Sequence, residues 1–325
     1  MREKILELLS GKQVNTQPVF SGLIHITAEG LQHEGLIFHE IHKDAAKMAK
    51  AAASTFKLTG IPSAALPLDL CAPAEMMGAE LNYYENMEYQ FPQVKKALVE
   101  SARDIKAVQF GAGRLELICE AISLVKNDIG GETVISGLIP GPYTLLLYVC
   151  NPANMFMEMK KEPQVVRDAL THLASFLAKV GQAYLNAGAD FITIHEMGGS
   201  PGFIGPARFE QFILPALKDL HANLPAPKVL SVCGKTDAAM HLLAQTGADA
   251  ISVDQLNHLA ASRSVLQDML LFGNIDPVET LWQGDPAKVA ESVVGAKEAG
   301  VNAIWPGCDL VPQTPLANLQ SMKSA

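Results

Sequence analysis

Asn186-Ala-Gly188-Ala-Asp190-Phe191-Ile-Thr-Ile194 passes from a helical stretch through a glycine turn directly into a short apolar segment. The same pattern recurs at Leu58-Thr-Gly60 before Ala64-Ala-Leu-Pro-Leu-Asp69, and at Gln245-Thr-Gly247-Ala-Asp249 before Ala250-Ile-Ser-Val-Asp254. A further copy is Glu298-Ala-Gly300-Val-Asn302 before Ala303-Ile-Trp305. Glycine just past a helix takes the left-handed backbone conformation that lets the chain turn away. The apolar segments are short and nearly continuous, as expected of parallel strands covered on both faces. Filling in the chain gives candidate strands near 17–24, 64–69, 133–139, 189–195, 228–233, 249–254, 269–274 and 302–306. Helical segments separate them, the longest at about 164–187. This alternation predicts an α/β chain folded as a (β/α)8 TIM barrel.

The stretch Met1-Arg-Glu-Lys-Ile-Leu-Glu-Leu-Leu9 reads as a short amphipathic N-terminal helix and not as a signal peptide. Residues 70–130 are too many for one crossover, so extra helices between strands two and three are expected to cap the barrel mouth. No Gly/Ser/Pro linker divides the chain, and a single domain over 1–325 is expected. The net charge of −9, without a Lys/Arg block, argues against nucleic acid or an anionic membrane as partner. No apolar run approaches the ~20 residues that span a bilayer. The five cysteines, at 71, 119, 150, 233 and 308, are odd in number and scattered, which fits a reducing cytoplasm better than a disulfide framework.

Active sites of such barrels form at the C-terminal ends of the strands. The residues there are His25, Asp69 with Cys71, Pro140-Gly141-Pro142, His195-Glu196, Cys233, Asp254, Gly273-Asn274 with Asp276, and Cys308-Asp309. Two thiols at neighbouring strand ends can hold a soft metal such as zinc, or can simply be small buried residues. Strand alternation puts Ile192, Ile194 and Glu196 on one face, taken as the barrel interior, and turns His195 towards the helices unless the strand bulges. Asp69 is either a reacting carboxylate or a cap on the following helix. Cys71, Cys119 and Cys150 read as packing residues.

The chain resembles the uroporphyrinogen decarboxylase superfamily, and within it the cobalamin-dependent methyltransferases. Leu8-Leu-Ser-Gly-Lys-Gln13, Leu66-Pro-Leu-Asp-Leu-Cys-Ala-Pro-Ala-Glu-Met-Met-Gly78, Gly137-Leu-Ile-Pro-Gly-Pro-Tyr-Thr144, Gly273-Asn-Ile-Asp-Pro277 and Pro306-Gly-Cys-Asp309 carry the likeness. The decarboxylases place an arginine-rich loop after strand one, but Gly22-Leu-Ile-His-Ile-Thr-Ala-Glu-Gly30 has no arginine. The thiol-directed methyltransferases place zinc on His-x-Cys after strand five and on Cys after strand eight. Here Ser231-Val-Cys233 and Cys308 keep both cysteines and replace the histidine with serine.

The resemblance therefore implies zinc on Cys233 and Cys308, with His195 or Glu196 as substitute third ligand. It implies Asp69, Glu196 and Asp254 as catalytic candidates, and Gly141, Gly273 and Asn274 as residues a corrin or its carrier could approach. The implied activity is methyl transfer between a corrinoid protein and a thiol such as coenzyme M, as in methanogenesis or one-carbon metabolism. No Asp-x-His-x-x-Gly corrinoid segment is present, so the cobalamin would arrive on a partner. Alternatives are demethylation of a methoxylated or methylamino substrate, a metal-free decarboxylase-like enzyme, and a non-catalytic binding homologue.

Overall fold

The computed structural model describes residues 1–106, 113–225 and 227–325. Its sheet has six strands in sequential order, Ser63–Leu66, Val134–Pro140, Phe191–Glu196, Lys228–Val232, Ala250–Val253 and Leu270–Phe272. All neighbouring pairs are parallel. The candidate strands at 17–24 and 302–306 contribute isolated bridges instead of ladders: Val19 pairs with Ile304, Ala303 with Phe272, and Pro306 with Ile275. Those bridges close the ring into a barrel. Pro18 and Pro306 lack the N–H a ladder needs, which keeps these two staves short. The joint between the first stave and the second uses side chains, with Ser21 N donating to Ser63 Oγ at 3.0 Å and His25 Nε2 lying 3.0 Å from Ser63 O.

The repeated turn glycines behave as the pattern requires. Gly60, Gly188, Gly247 and Gly300 all have positive φ, at 70°, 119°, 84° and 85°. The long helix spans Pro163–Ala187, and the N-terminal helix spans Arg2–Leu9. Between strands two and three the expected extra helices are short, Ala72–Met76 and the 3-10 turn Ala102–Asp104. An unforeseen antiparallel ribbon, Leu81–Asn82 with Gln93–Val94, lies between them. Helix Leu115–Ile129 then makes the crossover, and residues 107–112 lie outside the described part.

One hydrophobic cluster runs from Ile5 to Met322. Within the barrel, Phe20, Phe272 and Trp305 pack with ring centroids 5.1–5.6 Å apart. Gly22 is obligatory beside them: a Cβ there would lie 2.1 Å from Thr193 Oγ1 and 2.7 Å from the Trp305 ring. No helix among the described residues is long and apolar enough to cross a membrane.

Candidate metal centre

Strand Phe191–Glu196 sets the site. Phe191 packs on the interior rings Phe20 and Trp305, and Thr193 Oγ1 meets Ser136 Oγ of the adjacent strand at 2.7 Å. Ile192 packs instead near Gly181 and Tyr184 of the long outer helix. The inward face is therefore Phe191, Thr193 and His195, the reverse of the sequence expectation for Ile192, Ile194 and Glu196. The strand does not need a bulge to present its histidine.

Register places His195 beside Ser231, and Cys233 follows one residue after strand Lys228–Val232. His195 Nε2 lies 3.0 Å from Cys233 Sγ and 3.9 Å from Cys308 Sγ, and the two sulfurs are 3.3 Å apart. Among the described residues this is the one His/Cys/Asp/Glu group close enough to share a metal ion. A tetrahedral zinc with ~2.3 Å bonds to sulfur and ~2.0 Å to nitrogen has ligand–ligand edges of about 3.5–3.8 Å. The observed triangle brackets that range. His195 and Cys233 are buried and Cys308 is partly open, so an incoming ligand would approach from the Cys308 side.

The charges suit a metal. The hydrogen bond from Cys233 pulls the Cys308 thiol well below its ordinary value against burial, and His195 adds to the effect. Cys233 is correspondingly pushed up by its bond to that thiolate and by burial. Burial works against charging His195, but Asp309 and Cys308 outweigh it and lift the imidazole to about 9. Burial raises the Asp309 carboxyl to about 6 despite the opposing pull of His195. Without metal the paired cysteines thus favour loss of one thiol proton, and Asp309 and Cys308 favour the charged form of His195. Metal binding would displace the imidazolium and thiol protons and weaken as pH falls.

His195 Nδ1 is buried without a hydrogen-bond partner, and Asp309 Oδ2 stands 3.7 Å away. Asp309 is itself fixed by Ile24 N at 2.8 Å. A carboxylate behind a ligating imidazole selects the tautomer whose Nε2 faces the metal. Asp309→Asn is expected to weaken zinc binding about 10–100-fold in chelator competition, with the fold intact. An unchanged affinity would remove Asp309 from that role.

Glu196 does something else. Its carboxylate accepts from Tyr143 N at 3.1 Å, Thr144 N at 3.0 Å and Gly199 N at 2.9 Å, and from the Thr144 hydroxyl. It caps the N-terminus of helix Pro142–Val149, where a negative charge is favoured. Gly141 is glycine because a Cβ there would sit 2.1 Å from Glu196 Oε2. The structure thus brings His195, and not Glu196, to the two cysteines. Glu196→Gln would point amide protons at backbone donors and should cost roughly 1–3 kcal/mol of stability in urea unfolding, with zinc retained. Loss of zinc with unchanged stability would return Glu196 to the ligand set.

Asp254 accepts from Gly234 N and Leu256 N, both at 2.9 Å, and so anchors the loop that carries Cys233. Asn274 Nδ2 reaches Asp254 O at 3.1 Å and Asn257 O at 3.0 Å, extending the same brace. Gly273 has φ 139°, and a Cβ there would meet Val253 O at 3.1 Å. These three residues position loops, and none joins the triad. Cys71 donates to Pro92 O at 3.3 Å, away from the triad.

Asp69 belongs to a buried network that sequence reading missed. Arg114 donates to Asp69 Oδ2 at 2.9 Å and Oδ1 at 3.1 Å, and also holds Glu75. Cys71 N and His42 Nδ1 occupy the remaining positions on the carboxylate, at 3.0 and 3.2 Å. Its oxygens are fully engaged, so it caps a turn and balances a buried cation. Also missed is a cavity of about 470 Å³ lined by Asp69, Tyr148, Met197, Asp309 and mostly apolar neighbours. It comes nearest the triad at Asp309, whose Oδ2 stands 3.7 Å from His195 Nδ1.

Comparison with known proteins gives a consistent picture. The profile of uroporphyrinogen decarboxylase (URO-D) matches residues 1–325. The chain is 31% identical to the methylcobamide:CoM methyltransferase MtbA of Methanosarcina acetivorans, covering 99% of this chain and 96% of that protein. It is 28% identical to the methylcobamide:CoM methyltransferase MtaA of Methanosarcina barkeri, covering 100% and 97%. The solved structure of a methyltransferase from Methanosarcina mazei superposes with a TM-score of 0.94 at 25% identity, covering 99% of this chain and 97% of that one.

Proposed function

The chain belongs to the uroporphyrinogen decarboxylase family, and on that premise we propose that it is a zinc-dependent methyltransferase moving a methyl group from a corrinoid to a thiol. The observation that carries this reading is the His195–Cys233–Cys308 triad at the barrel mouth. Two sulfurs and one imidazole nitrogen form a donor set suited to zinc, with the fourth position left to substrate. A zinc ion held there would bind the acceptor sulfur and keep it deprotonated at neutral pH.

The chain's own residues supply the rest. Asp309 orients His195, Asp254 and Asn274 brace the loop of Cys233, and the adjoining cavity holds the body of the acceptor. In the transfer a sulfur–carbon bond forms and the carbon–cobalt bond breaks, its electron pair remaining on cobalt. The thiol proton leaves to water. The corrinoid is carried by a separate corrinoid protein docked over the mouth, in keeping with a sequence that has no Asp-x-His-x-x-Gly segment. The whole of 1–325 acts as one domain in the cytoplasm.

A decarboxylase reading has less to stand on. The stretch 22–30 has no arginine for a porphyrinogen's carboxylates, and Asp69 has no oxygen left for a substrate. The deciding experiment measures zinc per chain by elemental analysis, then methyl transfer from methylcobalamin to thiols. About one zinc per chain and a zinc-dependent loss of methylcobalamin are expected. Absence of zinc after reconstitution would end this reading.

A further inference from the structure

The cavity beside the triad indicates which kind of thiol reacts there. Its walls include Leu70, Phe91, Val94, Leu147, Tyr148 and Met197, an apolar surface with two aromatic rings. Its volume of about 470 Å³ lies within the range of pockets that enclose small organic ligands, ~300–1,000 Å³. A two-carbon thiol would leave most of that space to water.

Its charges select against an anionic acceptor. Asp309 lines the cavity and stands 3.7 Å from His195 Nδ1, so an anionic substituent held in the cavity on the triad side would face a carboxylate. Asp69 is in the wall with its charge already balanced by Arg114, which does not line the cavity. Among the described residues the one basic side chain on the wall is Lys96, and it is solvent-exposed. Residues 107–112 contain no basic side chain. Lys235 follows Cys233 by two positions but does not line the cavity. An anion moved into such a place gives up its hydration with nothing buried to replace it, whereas an apolar group gains by leaving water.

Resting on the methyl-transfer reading above, we infer that the acceptor is a neutral thiol with an apolar or aromatic body, and not a small sulfonate or carboxylate thiol. Leu147, Phe91 and Tyr148 hold that body while its sulfur reaches the triad. This specificity differs from what the names of the Methanosarcina relatives state for those proteins.

The test uses the metal-loaded full chain with methylcobalamin as donor. It compares benzyl mercaptan with 2-mercaptoethanesulfonate, two alkane thiols of similar acidity. After subtraction of the uncatalysed reaction, kcat/KM is expected to be at least about ten-fold higher for benzyl mercaptan, a factor set by unmatched burial of the anion. Val94→Lys, which adds a cation to the wall, should narrow the ratio, and an unchanged ratio would show that this wall does not read charge. Equal or better use of the sulfonate by the unaltered chain would overturn the inference and leave methyl transfer standing. If the zinc-loaded chain methylates neither thiol, the methyl-transfer reading falls and the inference with it.

Discussion

Cys308→Ser is expected to strip the metal from the barrel mouth and abolish methyl transfer while leaving the fold in place. Cys308 is the most open member of the triad, and its bond with Cys233 and the nearby His195 hold its thiol below the ordinary value against burial. Serine is close in size but offers a neutral hydroxyl, which supplies neither the charge nor the soft donor that zinc prefers. Removing support behind a ligand costs 10–100-fold in affinity, so removing a ligand should cost on the order of 1,000-fold or more. That factor corresponds to about 4 kcal/mol. Elemental analysis after dialysis against a mild chelator should fall from about one zinc per chain to nearly none. Cys71→Ser is the matched control, because Cys71 bonds Pro92 O and stands outside the triad. Circular dichroism should show the same secondary structure in all three proteins. Zinc retained in Cys308→Ser would show that the triad is a packing cluster and not a metal site.

The parts of this site that sequence made legible were those fixed by strand ends. Cys308 could be placed at the mouth because it follows a recognisable glycine-and-strand unit, and Cys233 because it ends the apolar run at 228–233; barrel geometry brings the ends of staves five and eight together. The choice between His195 and Glu196 was not legible in the same way. In a strand buried on both faces, Phe191, Ile192, Thr193 and Ile194 are all acceptable on either side, so period-two alternation gives no phase. What sets the phase is packing from distant residues: Phe20 and Trp305 inside, Gly181 and Tyr184 outside. Once Phe191 faces in, His195 must, and Glu196 is left for the amide groups of Tyr143, Thr144 and Gly199.

The closing staves show a related limit. Apolar runs at 17–24 and 302–306 were visible, but their prolines and the crowding around Gly22 reduce them to bridges. Arg114 was out of reach for a simpler reason. It approaches Asp69 only after the chain has traversed the ribbon and turns between strands two and three, and no local pattern announces that meeting.

Arg114→Met is expected to produce the largest stability loss of any single substitution considered, about 3–5 kcal/mol, the usual consequence of stranding a buried charge. Both partners are enclosed, Arg114 with 8% and Asp69 with 1% of side-chain surface exposed. Methionine fills much the same volume, so the loss reports the charge and not a void. The pH dependence separates this cause from loosened packing. In the unaltered chain burial raises the Asp69 carboxyl, but Arg114 and His42 override it and hold the group well below the usual carboxylate range. A carboxyl with a lowered folded pKa contributes stability above its unfolded value of about 3.9, and that contribution is lost only as pH falls towards the lowered value. Between pH 4 and 7 the contribution is therefore flat.

In Arg114→Met only His42 and the Cys71 amide still oppose burial, and the carboxyl is expected to rise. The folded state then binds the proton more tightly than the unfolded chain, and stability falls as pH rises above about 4. The deficit against the unaltered chain should thus be small near pH 4 and complete near pH 7. Urea midpoints at the two values measure it directly, and Asp69→Asn added to Arg114→Met should recover part of the loss at pH 7 by removing the stranded charge. A deficit of equal size at both pH values, without recovery in the double variant, would mean that Arg114 serves through its packing and through the hydrogen bonds it donates to Glu75 and, at 3.0 Å, to His42 O. Asp69 would then be open to a direct part in chemistry at the cavity wall, because its charge would not need Arg114 to be tolerated there.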